Sequence, residues 1–339
     1  PGPVVWPAAL FAARLNDASL GQLLEAAVAG YEACIGVARM LDDRHYRHFH
    51  PTHTAGRFGA AAAAARLGRT DLVQAMAIAG SSAGAFWQVR LSGATSKAFH
   101  VADAVLGGLF AADCAAAGMT GPADLLEGPL GLFAALCAEP RPLPGPRGWL
   151  MAEVSFKPWA ACRHAHPAID AALALPEGAL AHGPIQVATY GDALAFCDRP
   201  APRDPPSARF SLQHALAVVA VRGRPTPADF EDEALADPAL AAARARVQLS
   251  RDEAFDAAYP AHFGAAVSAG GASVQVADAW GDPEHPLDEA ALVDKFRTLA
   301  RFGGLGDQAA EAAIHCVFEG DDAAPARPLV ALLGDWLGP

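Results

Sequence analysis

The sequence predicts a mainly α fold with an inserted α+β lid, and three observations carry that prediction. Alanine-rich apolar segments at helical spacing fill roughly the first 140 residues. A proline-rich run, Pro140-Arg141-Pro142-Leu143-Pro144-Gly145-Pro146, then breaks the pattern. Beyond it lie short alternating runs of strand type, and helical spacing resumes at about Asp288. The expected organisation is a helical domain at 1–152, an α+β lid at 153–280, and a return to the helical domain at 281–339.

Each element has a local reason. Pro7 to about Leu41 reads as two helices divided at Asn16-Asp17-Ala18-Ser19, with Asp17 or Ser19 as N-cap. A polar loop follows from Asp42 to His53. Gly56 to about Leu67 is a helix of small residues holding six consecutive alanines, Ala60 to Ala65. Helical spacing continues over Asp71–Ala83, Val101–Ala117 and Ala123–Cys137, with Gly118 as the C′ residue of a stop. In the second block, Ile185–Tyr190 and Val247–Ser250 read as short strands. Phe263–Ser268 and Ser273–Ala279 flank Ala269-Gly270-Gly271-Ala272, a hairpin signal. Helices are expected at His166–Leu175 and Ala208–Val221.

Composition narrows the function classes. Mean hydropathy is +0.19, yet no long apolar stretch lacks charge or helix-breaking punctuation, so no membrane partner is expected. The net charge is −12 without a run of Lys or Arg, which argues against nucleic acid. Six dispersed cysteines with no C-x-x-C pair read as reduced thiols in a cytoplasmic protein. The start at Pro1-Gly2-Pro3 has no basic n-region of a signal peptide. P-loop, dinucleotide and serine-hydrolase elbow motifs are absent.

Lysine is scarce: Lys97, Lys157 and Lys295 stand against twenty-two arginines. An ammonium can be tuned for proton transfer, whereas a guanidinium stays charged. Lys97 and Lys157 lie near histidine-bearing segments, while Lys295 sits on an ordinary amphipathic helix. His45, His48, His50 and His53 fall within nine residues. They admit three readings: a metal site, a pocket-facing His50, or a polar loop. The spacing lacks H-E-x-x-H, which argues against metal. Cys162-Arg163-His164-Ala165-His166-Pro167 gathers cations ahead of a helix, where an anion could bind or where capping alone is at work.

These runs together resemble the MmgE/PrpD family. The matching segments are Phe49-His50-Pro51-Thr52 with the alanine helix, Lys97-x-x-His100, and Thr120-Gly121-Pro122 running to Glu127-Gly128. Then come Phe156-Lys157-Pro158, His166-Pro167-Ala168-Ile169-Asp170, Ala208-Arg209-Phe210-Ser211-Leu212, and Gly281-Asp282-Pro283-x-His285-Pro286 leading to Lys295-Phe296-Arg297. The resemblance implies a homodimer acting on a small di- or tricarboxylate, with no metal and no organic cofactor. It implies His50, Lys97 and Lys157 as catalytic residues, with His100, Arg163, His166 and His214 binding substrate. The reaction would be dehydration, decarboxylation or epimerisation at the carbon α to a carboxylate. Two departures are visible. The family's Asp-Asp-Thr segment and His-Pro pair precede the position at which this sequence starts, and His214 replaces the family's tyrosine. The alternative is therefore a carboxylate-binding homologue without catalysis.

Overall fold

The computed structural model describes residues 1–91, 94–143, 145 and 148–336. Pro144 and Pro146 of the proline-rich run lie outside the described residues. The chain divides into two units, Pro1–Glu153 with Glu311–Pro339, and Val154–Ala310. Each is taken by itself.

The first unit is helical: α1 (Gly2–Leu15), α2 (Leu20–Met40), α3 (Asp43–His48), α4 (Pro51–Gly68), α5 (Leu72–Gly80), α6 (Ser96–Ala116) and the short α7 (Leu132–Leu136). Ser19 starts α2 through a capping box, its hydroxyl accepting from Gln22 N–H while the Gln22 side chain accepts from Ser19 N–H. Helix α4 is the centre, with α1, α2, α5 and α6 all packed on it. Ala60 to Ala65 are all buried, so this helix has no solvent face there. Where α2 crosses α4, a Cβ on Gly30 would stand 2.8 Å from the Gly59 carbonyl oxygen, and one on Gly59 would stand 2.7 Å from the Gly30 oxygen. Only paired glycines allow that approach. Helix α6 is long and apolar enough to cross a membrane by length and composition alone. Its buried face of Ala104, Gly108, Ala111 and Ala112 lies along α4, as in a bundle helix.

Two expectations are corrected here. The polar loop at 42–53 is instead the helical turn α3, capped by Asp42 accepting from His45 N–H, followed at once by α4. The helix expected over 123–137 is mostly turn, with only α7 helical. Gly128 and Gly131 break it, each packed too closely against backbone oxygens for a Cβ.

The second unit surrounds a four-stranded sheet of order β2-β1-β3-β4. Its elements are α8 (His166–Leu173), β1 (Ile185–Thr189), α9 (Gly191–Cys197), α10 (Pro205–Ala208), α11 (Leu212–Arg222), α12 (Asp232–Ala236), α13 (Pro238–Arg244), β2 (Val247–Arg251), α14 (Glu253–Ala258), β3 (Ala265–Ala269), β4 (Ala272–Val276) and α15 (Glu289–Phe302). Strands β1 and β2 are parallel, joined by a helical crossover, while β1–β3 and β3–β4 are antiparallel. Gly270 and Gly271 have φ of 58° and 81°, the positive values that a two-residue hairpin turn requires. Alternate residues Ile185, Val187, Ala265, Val267 and Ala269 pack against Ile169 of α8 and Leu212, Leu216 and Val219 of α11.

Helix α16 (Asp307–Phe318) and α17 (Arg327–Trp336) lead back into the first unit. Leu20 N–H donates to Ala324 O at 2.8 Å and Ala326 N–H to Ala18 O at 2.9 Å. The division falls at Ala310, later than the expected 280, because α15 packs against the 3-10 turn at Pro227–Phe230.

Candidate active site

In the first unit, one end of the α4/α6 pair collects the titratable groups. His50 is the N-cap of α4, and Pro51 occupies the first helical position with its φ already suited to a helix. The His50 N–H donates to Ala85 O at 2.8 Å, and Phe49 bridges to Phe86. These contacts bring Trp87 under the histidine, whose ring stacks on the indole at 4.3 Å and 23°. Lys97 and His100 occupy the first turns of α6, three residues apart and therefore on one face. Lys97 Nζ lies 5.6 Å from the Trp87 ring centre, and His100 Nδ1 lies 3.3 Å from His50 Nδ1. His50 and Lys97 thus share one indole, and His100 joins them through His50.

A second rung supports the first. His53 accepts at Nδ1 from Gly84 N–H (3.2 Å), so the proton is on Nε2 and is donated to Asp103 Oδ2 at 2.8 Å. Arg57 donates to the same oxygen at 3.0 Å. The residues at 50, 53 and 57 on α4 therefore face those at 100 and 103 on α6 with helical periodicity. Trp87, Asp103 and Arg57 were missed by sequence reasoning. The spacing of His53 and Arg57 against His100 and Asp103 was the available signal.

Burial decides the charge state. His50 is only 4% exposed, and burial first, then Lys97, His100 and His53, pushes its pKa down to about 3. Its ring is neutral at neutral pH: a hydrogen-bond partner, or a proton acceptor weakened by burial, and not an imidazolium clamp. Burial also lowers His53, while its hydrogen bond holds the Asp103 carboxyl below the usual range. The remaining histidines of the cluster disperse: His45 is enclosed with Nε2 3.0 Å from Thr54 Oγ1. Among the described residues no group of three His, Cys, Asp or Glu could hold a metal ion.

In the second unit, Lys157 is exposed and lines a cavity of about 320 Å³. Trp159, Arg224, Trp280, Asp294 and Lys295 share that cavity. Asp170 accepts from Trp159 Nε1 at 2.8 Å and from Trp280 N–H at 2.7 Å, which fixes both indoles. Lys295 is half-buried, and burial followed by the charge of Lys157 lowers its pKa. The sequence places Lys295 on an ordinary amphipathic helix, which α15 is, and shows no sign of this cavity. Sequence separation between 157 and 295 concealed it.

The other expected substrate ligands of this unit are placed differently. Arg163 pairs with Asp282 at 2.6 Å and lies over the Phe263 ring at 3.9 Å, leaving its buried Nε without a partner. His166 is 2% exposed, its Nε2 lies 3.2 Å from Ala161 O, and burial, then Lys157, pushes its pKa down to about 3. It is a neutral ring held by backbone, not an exposed cation. His214 is fully buried: Nε2 donates to Asp229 O at 2.7 Å and Nδ1 accepts from Arg244 at 3.0 Å. Neither ring nitrogen is left for a ligand, so the expected substrate contact at His214 is replaced by an interior hydrogen-bond bridge.

Comparisons with known proteins fit this division. Residues 1–144 match the MmgE/PrpD N-terminal domain and residues 159–319 match the MmgE/PrpD C-terminal domain. Human cis-aconitate decarboxylase is 28% identical over 219 residues, covering 60% of this chain and 45% of that protein. The match thus spans under half the length of that curated relative.

Proposed function

Because the chain belongs to the MmgE/PrpD family, a family of dehydratase and decarboxylase type lyases, we propose that it is a cofactor-independent lyase or isomerase moving a proton at the carbon α to a carboxylate of a small di- or tricarboxylate. The observation that carries this reading is the neutral, buried His50 beside His100 and Lys97. One of the two facing Nδ1 atoms must donate and the other accept. If His50 donates, its Nε2 keeps the lone pair that a general base needs. Proton removal from such a carbon builds enolate charge on the carboxylate. Lys97 supplies a cation on the same indole to stabilise that charge. Lys157 is assigned a substrate carboxylate, and the second unit the role of lid. Loss of a β-hydroxyl, or return of the proton to the other face, would then complete dehydration or epimerisation; in a decarboxylation the C–CO2 bond breaks instead, its electron pair stays on the carbon, and a proton is delivered there.

We take the working form to be a homodimer. Phe99, Leu106 and Phe110 are 65%, 65% and 69% exposed along one side of α6 and supply an apolar stripe for a second copy.

The test is α-proton exchange, followed by NMR in deuterated water across citrate-like, aconitate-like and succinate-like acids. Exchange in the unaltered chain, abolished in His50→Asn, is the expected result. Tight binding with no exchange for any acid would instead favour a carboxylate-binding protein.

A further inference from the structure

The cavity of the second unit carries an unbalanced charge. Lys157, Arg224 and Lys295 line it against the single carboxylate of Asp294. That is three formal positive charges and one negative, a surplus of two. None of the three cations has an ion pair among the described residues. Exposed cations tolerate that condition, but Lys295 is half-buried and feels the charge of Lys157. Like charges brought together in a partly dry cavity disfavour each other until an anion separates them.

The walls are built to stay in place. Arg224 lies over both indoles, 5.1 Å from the Trp280 ring centre and 5.7 Å from that of Trp159. Such stacking orients a guanidinium fork while leaving its N–H edge for a planar oxyanion. The indoles are themselves tied through Asp170. Lys295 projects from α15, whose anchoring on the Pro227–Phe230 turn keeps it at the same cavity. At about 320 Å³ the cavity lies at the small end of ligand sites, which run from roughly 300 to 1,000 Å³.

We propose that this cavity holds a compact dianion, two carboxylates of one small acid, and that Arg224 and Lys295 are the residues that select it by charge. The inference rests on the carboxylate chemistry proposed above. It adds two specificity residues to it. Arg224 takes one carboxylate by its planar edge, and Lys157 with Lys295 takes the other as paired point charges. A monocarboxylate leaves one positive surplus unanswered and binds weakly.

Trp159 and Trp280 provide a reporter that does not depend on turnover. The intact protein is titrated with citrate, succinate and acetate while indole fluorescence is followed, and Trp280→Phe identifies the responding signal. Citrate and succinate are expected to bind and acetate to bind at least tenfold more weakly. Arg224→Gln and Lys295→Gln should each weaken succinate binding by about 10- to 100-fold, as loss of one charge-assisted contact does. Lys295→Arg, expected within about threefold of the parent, controls for folding. Failure of citrate and succinate to bind at millimolar concentration overturns the inference, as does binding untouched by both glutamine variants. Exchange measured on the same proteins separates the two levels of argument. Dianion binding through Arg224 and Lys295 without α-proton exchange supports the cavity and refutes the lyase reading. Exchange with unchanged KM in both glutamine variants refutes the cavity and keeps the lyase.

Discussion

Lowering the pH from 7 to 5 should destabilise this protein through three histidines that the fold keeps neutral. His45, His50 and His166 are 0%, 4% and 2% exposed, and burial pushes their pKa values down to about 4, about 3 and about 3. In the unfolded chain each titrates near 6.5. Above 6.5 both states carry neutral rings, and these groups contribute their full stability. As pH falls below 6.5 the unfolded rings take protons while the folded rings do not, so unfolding gains ground until the folded pKa is reached. Between pH 7 and 5 this amounts to about 2 kcal/mol per ring, or about 6 kcal/mol for the three. That is a large fraction of the roughly 5–15 kcal/mol typical of a folded chain. The assay is urea unfolding followed by indole fluorescence at pH 7, 6 and 5. His45 has no hydrogen-bond partner for its buried Nδ1, so protonation there gains nothing to offset desolvation. His45→Gln should therefore remove about a third of the pH dependence. Equal urea midpoints at pH 7 and 5, or an unchanged slope in His45→Gln, would refute the reasoning.

Three further outcomes are expected. Lys97→Met should lower kcat by about 10²–10³-fold with little change in Tm, because this exposed lysine acts on developing charge and not on packing; normal turnover would remove it from the mechanism. Gly59→Ala should destabilise the first unit by about 1–3 kcal/mol, since its Cβ would meet the Gly30 oxygen and Cys34 Cβ, each at 2.7 Å, and a melting curve measures this. Asp170→Ala should cost about 2–4 kcal/mol by leaving Trp159 Nε1 and Trp280 N–H without their acceptor. It should also blunt the fluorescence response to succinate; a full response at normal stability would show that the indoles do not need this anchor.

Much of this architecture was legible from short-range signals. The Gly270-Gly271 turn and the Ser19 cap are local chemistry, and both appear where the residues call for them. Helical spacing puts 97 and 100 on one face, whereas a common site for Lys97 and His50 was implied only by the family resemblance. What escaped depends on distance along the chain. Arg224 and Lys295 join Lys157 only after the helical crossover and α15 are in place. His214 looked like a site residue because its neighbours in sequence carry a recognisable pattern. Its actual partners, Asp229 O and Arg244, come from the following turn and α13, which no local pattern announces. The loop expected at 42–53 shows the same limit at short range. Part of the polarity there belongs to buried side chains paired inside the unit, His45 with Thr54 and His53 with Asp103, beside exposed residues such as Arg47 and His48.

Helix α4 sets how this protein can vary. Ala60 to Ala65 are enclosed on every side, so even one added methyl group must displace a neighbouring helix. His50, His53 and Arg57 ride on the front of that same helix. Any enlargement along the axle is therefore transmitted to the histidines at its tip. Changes tolerated by the catalytic end are confined to side chains that leave the axle's girth alone. The cavity around Arg224 and Lys295 is less tightly constrained, since Arg224 is exposed and Lys295 only half-buried. Divergence in substrate choice has its open route there, while the proton-handling end stays tied to a helix that cannot change size.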